Sequence, residues 1–207
     1  MLKDHYLEGE ERFGPVSSRI YEIGSCLPSI RNFYRFVAGD LKKSGAKVLL
    51  DIGCGPAAVP IMLSGSANSK IYCVDLSEDM VKIARRNAKP YKNVKIGFGS
   101  SRSIPFRMKF DIVYTSLSFH HWHEKAQSLN YMKGFLTKNG EIRIYEFKRD
   151  GSRLLGLLGL GCHTLDMPEL RRISSQVGLE IAGVVYMGRY VRVSLTDKYK
   201  FLKKKIK

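Results

Sequence analysis

Val48-Leu49-Leu50-Asp51-Ile52-Gly53-Cys54-Gly55-Pro56 decides the reading of this chain. An apolar run with β-branched ends carries an acid, then turns through two glycines into a segment of helical spacing. That pattern predicts a strand, a tight loop and a helix N-terminus in one unit. Glycine lets the backbone turn sharply there and lets a ligand approach where a Cβ would collide. The acid at the strand end suits a cationic or hydroxyl-bearing ligand better than a bare phosphate.

Working outward, Gly53-Cys54-Gly55-Pro56-Ala57-Ala58 satisfies the spacing G-x-G-x-x-[GA] of nucleotide-binding turns. Asp75 follows Gly55 by 20 residues and closes a second predicted strand. Neighbouring strand ends meet at the ligand crevice of an open sheet, so Asp75 is placed to accept both hydroxyls of a ribose. Its other reading is a turn residue ahead of the next helix.

The rest of the chain alternates. Helices are predicted over Val16–Gly24 and Ser29–Lys43, the second with Ser29 as N-cap and Ile30, Phe33, Tyr34, Val37 and Leu41 on its apolar face. Strands are expected at Lys47–Ile52, Lys70–Asp75, Asn93–Phe98, Phe110–Thr115 and Glu141–Phe147. The helices between them are expected at Ala57–Leu63, Ser77–Ala88 and Trp122–Leu136, the last ended by Asn139-Gly140. A helix over Asp166–Val177 then leads to strands Leu179–Tyr186 and Arg189–Leu195. Alternation of this kind implies a parallel α/β sheet with helices on both faces. The turn Met187-Gly188 is too short for a parallel crossover, so the seventh strand runs antiparallel.

Composition narrows the class. The chain has 207 residues, 44% hydrophobic and 26% charged, which suits one globular domain. No apolar run reaches a membrane span, and the N-terminus has no apolar signal region. Four dispersed cysteines form no CxxC pair, which points to reduced thiols in the cytoplasm and to no metal site. The formal net charge of +16 attracts polyanions, RNA or an anionic membrane surface. The end, Lys198 to Lys207, concentrates lysine and reads equally as a solvated tail.

Three features argue against a nicotinamide oxidoreductase. Asp51 faces the loop with negative charge. Pro56 removes an N–H that would hold a pyrophosphate. Few residues remain after the fifth strand to build a substrate domain.

Taken together, these stretches resemble the class I S-adenosylmethionine-dependent methyltransferases, in their UbiE-like, type 11 branch. Leu49-Leu50-Asp51-Ile52-Gly53-Cys54-Gly55-Pro56 is similar to motif I of that family, and Cys73-Val74-Asp75-Leu76-Ser77-Glu78-Asp79-Met80 to its second-strand signature. Ile104-Pro105-Phe106 with Phe110-Asp111-Ile112-Val113, then Ser118-Phe119-His120-His121-Trp122 and Phe135-Leu136-Thr137-Lys138-Asn139-Gly140-Glu141-Ile142, resemble later family stretches. The likeness spans about residues 45 to 148. It implies a Rossmann-like seven-stranded sheet in the order 3-2-1-4-5-7-6, with S-adenosyl-L-methionine as cofactor. The implied organisation is a helical cap over 1–44, a cofactor core over 45–148 and an acceptor-side loop, helix and hairpin over 149–207.

The resemblance also implies roles. Gly53, Cys54 and Gly55 make room for the methionine part of the cofactor, and Asp51 meets its amino group directly or through water. Asp75 holds the ribose and Leu76 packs on the adenine. Where the family often has an acid for the adenine amino group, this chain has Ser100, so the Ser100 hydroxyl or the Ser101 N–H takes that contact. Thr115, Ser116 and Leu117 line the pocket floor.

Methyl transfer by in-line displacement needs alignment and dryness more than a base. His120, His121 and His163 are the candidate bases, with Glu146 as a further polar group on the acceptor side. His120 and His121 read equally as residues that cap a helix or pack beside Trp122, and Glu146 as a partner of Lys148 or Arg149. The glycine-rich run Leu154–Cys162 reads as a mobile lid, a lipid- or partner-facing segment, or a buried turn. No [DNS]-P-P-[YFW] or Pro-Cys motif follows the fourth strand, which disfavours exocyclic-amine and cytosine-C5 chemistry. A small-molecule or lipid-like acceptor is the leading reading, an RNA acceptor the alternative, and a non-catalytic cofactor-binding protein the third.

Overall fold

A computed structural model describes residues 28–65, 69–148 and 165–198. The predicted helix Val16–Gly24, the run Leu154–Cys162, His163 and the lysine-rich end beyond Lys198 lie outside the described residues.

In chain order the elements are α1 (Pro28–Lys43), β1 (Val48–Ile52), α2 (Ala58–Ser64), β2 (Lys70–Asp75), α3 (Glu78–Ala88), β3 (Val94–Phe98) and β4 (Phe110–Ser116). Then follow α4 (Lys125–Lys133), β5 (Leu136–Phe147), α5 (Met167–Gln176), β6 (Leu179–Met187) and β7 (Tyr190–Asp197). Seven strands form one sheet in the order β3-β2-β1-β4-β5-β7-β6. β1 through β5 pair in parallel, while β7 runs antiparallel to both β5 and β6. The expected strand order and the reversed last strand are both present.

Helices cover both faces, as alternating burial along the strands requires. In β1, Leu49 packs with Phe33, Val37 and Leu41 of α1 and Val59 of α2. Leu50 and Ile52 pack on the opposite face with Leu129 and Met132 of α4 and Leu170 and Ile173 of α5. By this alternation Asp51 shares the α1 side of the sheet with Cys73 and Tyr114, its register partners on β2 and β4.

The helix starts follow local chemistry. Ser77 Oγ accepts from Met80 N at 3.3 Å, so the expected cap of α3 is formed. Ser29, by contrast, lies inside α1; Pro28 takes the first turn, where its missing N–H costs nothing. α2 starts after Ala57, whose φ of 64° lies in the left-handed region, with no side-chain cap.

The segment after β4 departs from expectation. One 3₁₀ turn, Phe119–His121, precedes a shorter α4, which ends at Gly134. Asn139-Gly140 therefore ends no helix. Phe110 pairs with Leu136, whereas Ile112 pairs with Glu141, so the residues between form a bulge inside β5. A Cβ on Gly140 would lie 2.8 Å from the Phe110 carbonyl oxygen, and this close backbone approach explains the glycine. Asp111 secures the same corner, accepting from Lys47 N and Val48 N at 2.9 and 3.0 Å and from Thr137 Oγ1 at 3.3 Å.

α1 is tied to the sheet by one acid. Asp40 accepts from Arg143 Nη1 at 2.8 Å and from the Tyr145 hydroxyl at 2.6 Å, both on β5. The Arg192 guanidinium of β7 stands 3.5 Å away. No helix among the described residues is long and apolar enough to cross a membrane. Replacing Asp40 removes the counter-charge that Arg192 and the buried Arg143 share, while Arg143 keeps its second carboxylate, Glu141. Asp40→Ala is expected to lower stability by about 3 kcal/mol in urea titrations, and Asp40→Asn by less. A loss under about 0.5 kcal/mol would show that the network is ornamental.

Candidate functional site

At the ends of β1, β2 and β4, where the parallel strands stop, lies a narrow open crevice. Its walls are loops whose course is set by backbone bonds. Gly53 N and Cys54 N both donate to the Val74 carbonyl, at 2.9 and 3.0 Å, which hangs the glycine turn on β2. Asp75 Oδ2 accepts from Gly55 N at 2.8 Å, and Oδ1 from Ser77 N at 2.9 Å. One carboxylate thus joins the glycine loop to the start of α3. Asn87 Nδ2 donates to the Pro56 carbonyl at 3.1 Å and braces the far side of the loop.

Of the residues singled out from sequence, Gly53, Gly55, Asp75, Leu76, Ser100, Ser101, Leu117 and His121 line this crevice. Gly53 has φ +74°, and a Cβ there would stand 2.8 Å from Ser118 Cβ and collide with Ser118 Oγ. The glycine therefore makes room first for the chain's own loop after β4. Ser118 Oγ in turn accepts from Trp122 Nε1 at 3.2 Å, so loop, serine and indole form one packed corner. Ser100 turns its hydroxyl inward to accept from Arg102 N at 3.2 Å, and Ser101 Oγ bonds Ser128 Oγ at 2.8 Å. The first hydroxyl serves its own turn, and the second ties that turn to α4.

Asp51, Cys54, Thr115, Ser116, His120 and Glu146 do not line the crevice wall. Asp51 is 1% exposed beneath the loop, and its Oδ1 has no hydrogen-bond partner within reach. The Tyr114 hydroxyl interacts with the Asp51 carboxyl without reaching good hydrogen-bond geometry, and Thr115 Oγ1 is buried without a partner. Burial pushes the Asp51 carboxyl up to about 8; the Tyr114 hydroxyl opposes the shift and the Asp75 charge adds to it. Cys54 contacts Cys73 below the loop; that contact and burial raise its thiol well above the ordinary value, and burial raises Cys73. Both thiols are held protonated rather than as reactive thiolates. Ser116 is buried at the end of β4.

His120 and Glu146 form a pair behind the crevice. His120 Nδ1 lies 3.2 and 3.3 Å from the two oxygens of Glu146, which is fully buried. Among the described contacts Glu146 meets His120, and Arg149, the other partner expected beside Lys148, lies outside the described residues. The rings of His120 and His121 are 3.8 Å apart, so the pair adjoins the histidine that, among the described residues, meets the crevice.

Ile52, Met80, Gly99, Ser118 and Trp122 also line the crevice and were not assigned a site role from sequence. Met80 and Trp122 sit in stretches already noted, but their apolar character reads as core. Ser118 had no signal of its own, because its role depends on meeting Gly53 across the fold. Leu117 carries a φ of 51°, rare for a residue with a branched side chain. Strain of this kind gathers at ligand sites.

Comparison with known proteins places this geometry. Residues 50–144 match the family model described as "Methyltransferase domain". An uncharacterised methyltransferase of Staphylococcus carnosus is 30% identical over 115 residues, covering 55% of this chain and 53% of its own length. A demethylmenaquinone methyltransferase of Staphylococcus saprophyticus is 29% identical over 103 residues, 48% of this chain and 44% of its own. The chain thus spans about half the length of the curated relatives it matches. Among solved structures, a SAM-dependent methyltransferase of Aquifex aeolicus superposes with a TM-score of 0.73 at 21% identity, over 88% of this chain and 98% of that one. Likeness at that identity speaks for the fold.

The buried Asp51 makes a pH prediction. Unfolded, its carboxyl titrates near 3.8; folded, it keeps its proton up to about pH 8. The folded state therefore holds more protons across that window, and stability falls as pH rises through it. Asp51→Asn should flatten this decline in urea-unfolding curves. An equally steep decline in the variant would assign the effect to other groups.

Proposed function

We propose that this protein, whose residues 50–144 match the methyltransferase domain model, moves a methyl group from S-adenosylmethionine to a small-molecule or lipid-like acceptor. The observation that carries the reading is the meeting of Asp75 with the glycine loop, 2.8 Å apart at the mouth of the crevice. A relative named for demethylmenaquinone supports a non-polymeric acceptor. The whole chain is proposed to act as one domain, with 1–44 as cap, 45–148 as cofactor core and 149–207 on the acceptor side. Buried thiols kept protonated suit the reducing cytoplasm.

The residues present fit the cofactor. A carboxylate oxygen accepts more than one hydrogen bond, so Asp75 can hold sugar hydroxyls while it keeps the loop. Leu76 and Met80 offer an apolar wall for the adenine. Asp51, with an unpartnered oxygen under the loop, offers an acceptor to an ammonium group, directly or through water, and the positive charge of that group would draw the buried carboxyl toward its ionised form. Ser100 and Ser101 border the adenine end through their backbone, since both hydroxyls are engaged. Thr115, Ser116 and Leu117 carry the floor.

When bound, S-adenosylmethionine supplies a methyl carbon already activated by its sulfonium centre. The loops at Gly53, Ser118 and Trp122 exclude water and fix the line of approach. His121 faces the crevice and is the proposed group to take a proton from the acceptor. Glu146 holds His120 through Nδ1, and His120 in turn backs His121, so these two act as positioning residues.

Calorimetry tests the cofactor site. Asp75→Asn should weaken S-adenosylmethionine roughly 10- to 100-fold, the worth of charged hydrogen bonds, with the fold intact by circular dichroism. Unchanged affinity would remove Asp75 from the site. Once an acceptor is in hand, His121→Ala should lower kcat by about 100-fold and leave cofactor affinity near wild type. An unaltered kcat would leave methyl transfer to alignment alone. Methylation of RNA, and of no small acceptor in a broad panel, would replace the proposed acceptor class.

A further inference from the structure

The tip of the β6–β7 hairpin presents an apolar surface that the crevice does not use. Val185, Tyr186 and Met187 are 37%, 57% and 46% exposed, just before the turn at Gly188. Large apolar side chains gathered on a protruding tip mark an interaction surface. Cations surround them. Lys148 Nζ lies 5.6 Å from the centre of the Tyr186 ring. Arg35 and Lys43 of α1 line the groove that Val185, Tyr186 and Met187 also line. Arg189 follows the turn and is exposed. The acid in that groove, Asp40, is already held by Arg143 and Tyr145.

Strand register fixes where this tip points. Met187 pairs with Tyr190, and Tyr190 with Phe147, the last residue of β5. The tip therefore projects from the sheet edge at which β1, β2 and β4 end and the crevice opens. Three strand spacings, about 14 Å, separate β4 from β6.

We infer that the hairpin tip seats the protein on an anionic lipid surface, with Val185, Tyr186 and Met187 entering the headgroup boundary and Arg35, Lys148 and Arg189 meeting the lipid phosphates. An apolar wedge ringed by lysine and arginine is the chemistry of interfacial adsorption, and tyrosine favours that boundary. The net charge of +16 adds long-range attraction and opposes a second copy of the chain as the occupant. Single-stranded RNA fits less well, because bases stack on open aromatic faces. Phe36 and Tyr190 are buried and stacked on each other at 5.7 Å, and Lys148 already lies over Tyr186. Val185 and Met187 offer a base no π-face. Seating by the tip turns the crevice mouth toward the surface, where an acceptor dissolved in lipid can reach it.

The test is co-sedimentation of the full chain with vesicles of phosphatidylcholine, alone or with roughly one third phosphatidylglycerol. Binding is expected to the anionic vesicles and not to the neutral ones. The double variant Tyr186→Ser/Met187→Ser should lower partitioning about tenfold, and Lys148→Ala about fivefold, with thermal unfolding unchanged. Wild type should raise the pressure of an anionic monolayer, and the double variant should not. Unchanged partitioning of the double variant would overturn the inference, since charge elsewhere would then carry adsorption. Loss of binding to a single-stranded RNA oligonucleotide with vesicle binding retained would overturn it too, and assign the tip to nucleic acid. No acceptor or cofactor enters these measurements, so failure of the methyl-transfer reading is read separately.

Discussion

Everything at the mouth of this sheet depends on one carboxylate. Asp75 accepts from the loop after β1 and from the first residue of the turn into α3, at 2.8 and 2.9 Å. Two neighbouring strand ends would otherwise release loops free to diverge. The shared acceptor holds them parallel, and the Ser77 cap then starts α3 where its first turn faces the crevice. A residue proposed to bind a sugar is therefore also the one that shapes the cavity for it. Charge-assisted hydrogen bonds of this kind are roughly twice as strong as neutral ones, which makes the arrangement stiff before any ligand arrives.

Around that acid the chain tolerates features that a sheet interior ordinarily avoids. Ala57 and Leu117 hold left-handed backbone in the loops after β1 and β4. Each such residue costs on the order of 1 kcal/mol. Asp51, Tyr114 and Thr115 bury polar atoms without well-formed hydrogen bonds on adjoining strands. Most buried polar groups in proteins are satisfied, so their clustering beneath one loop marks the ground for a polar ligand or water. The two packed faces of the sheet, with Leu49 on one side and Leu50 and Ile52 on the other, offset these costs.

The opposite half of the sheet answers a different constraint. Reversing β7 lets β6 and β7 close the sheet by a two-residue turn and returns the chain to the cavity edge. Phe33, Phe147 and Tyr190 pack there with ring centres 5.3 to 5.7 Å apart, and the Tyr190 hydroxyl donates to the Ser29 carbonyl. α1 is thereby pinned at one end by aromatic packing and at the other by Asp40. The hairpin tip is left standing clear of both, apolar and ringed by cations.

The strands, the reversed last strand and helices on two faces were legible in the sequence, because periodicity and turn length are local properties of the chain; the strand order came with the family resemblance. So were the glycine turn and the 20-residue interval to Asp75, since a sharp bend needs glycine wherever it occurs. The bulge at Gly140 was misread as a helix end, because Asn-Gly signals a turn without saying which element it interrupts. Which side chains reach the crevice was not local at all. Gly53 is confined by Ser118, 65 residues away in the chain, and Glu146 by His120 on another element. Asp51 faces inward because the pleat alternates and the α1 side happens to be dry. The sequence supplied the strands, the bend and its acids; only packing between distant segments decided which of those groups were buried, which were paired and which met the cavity.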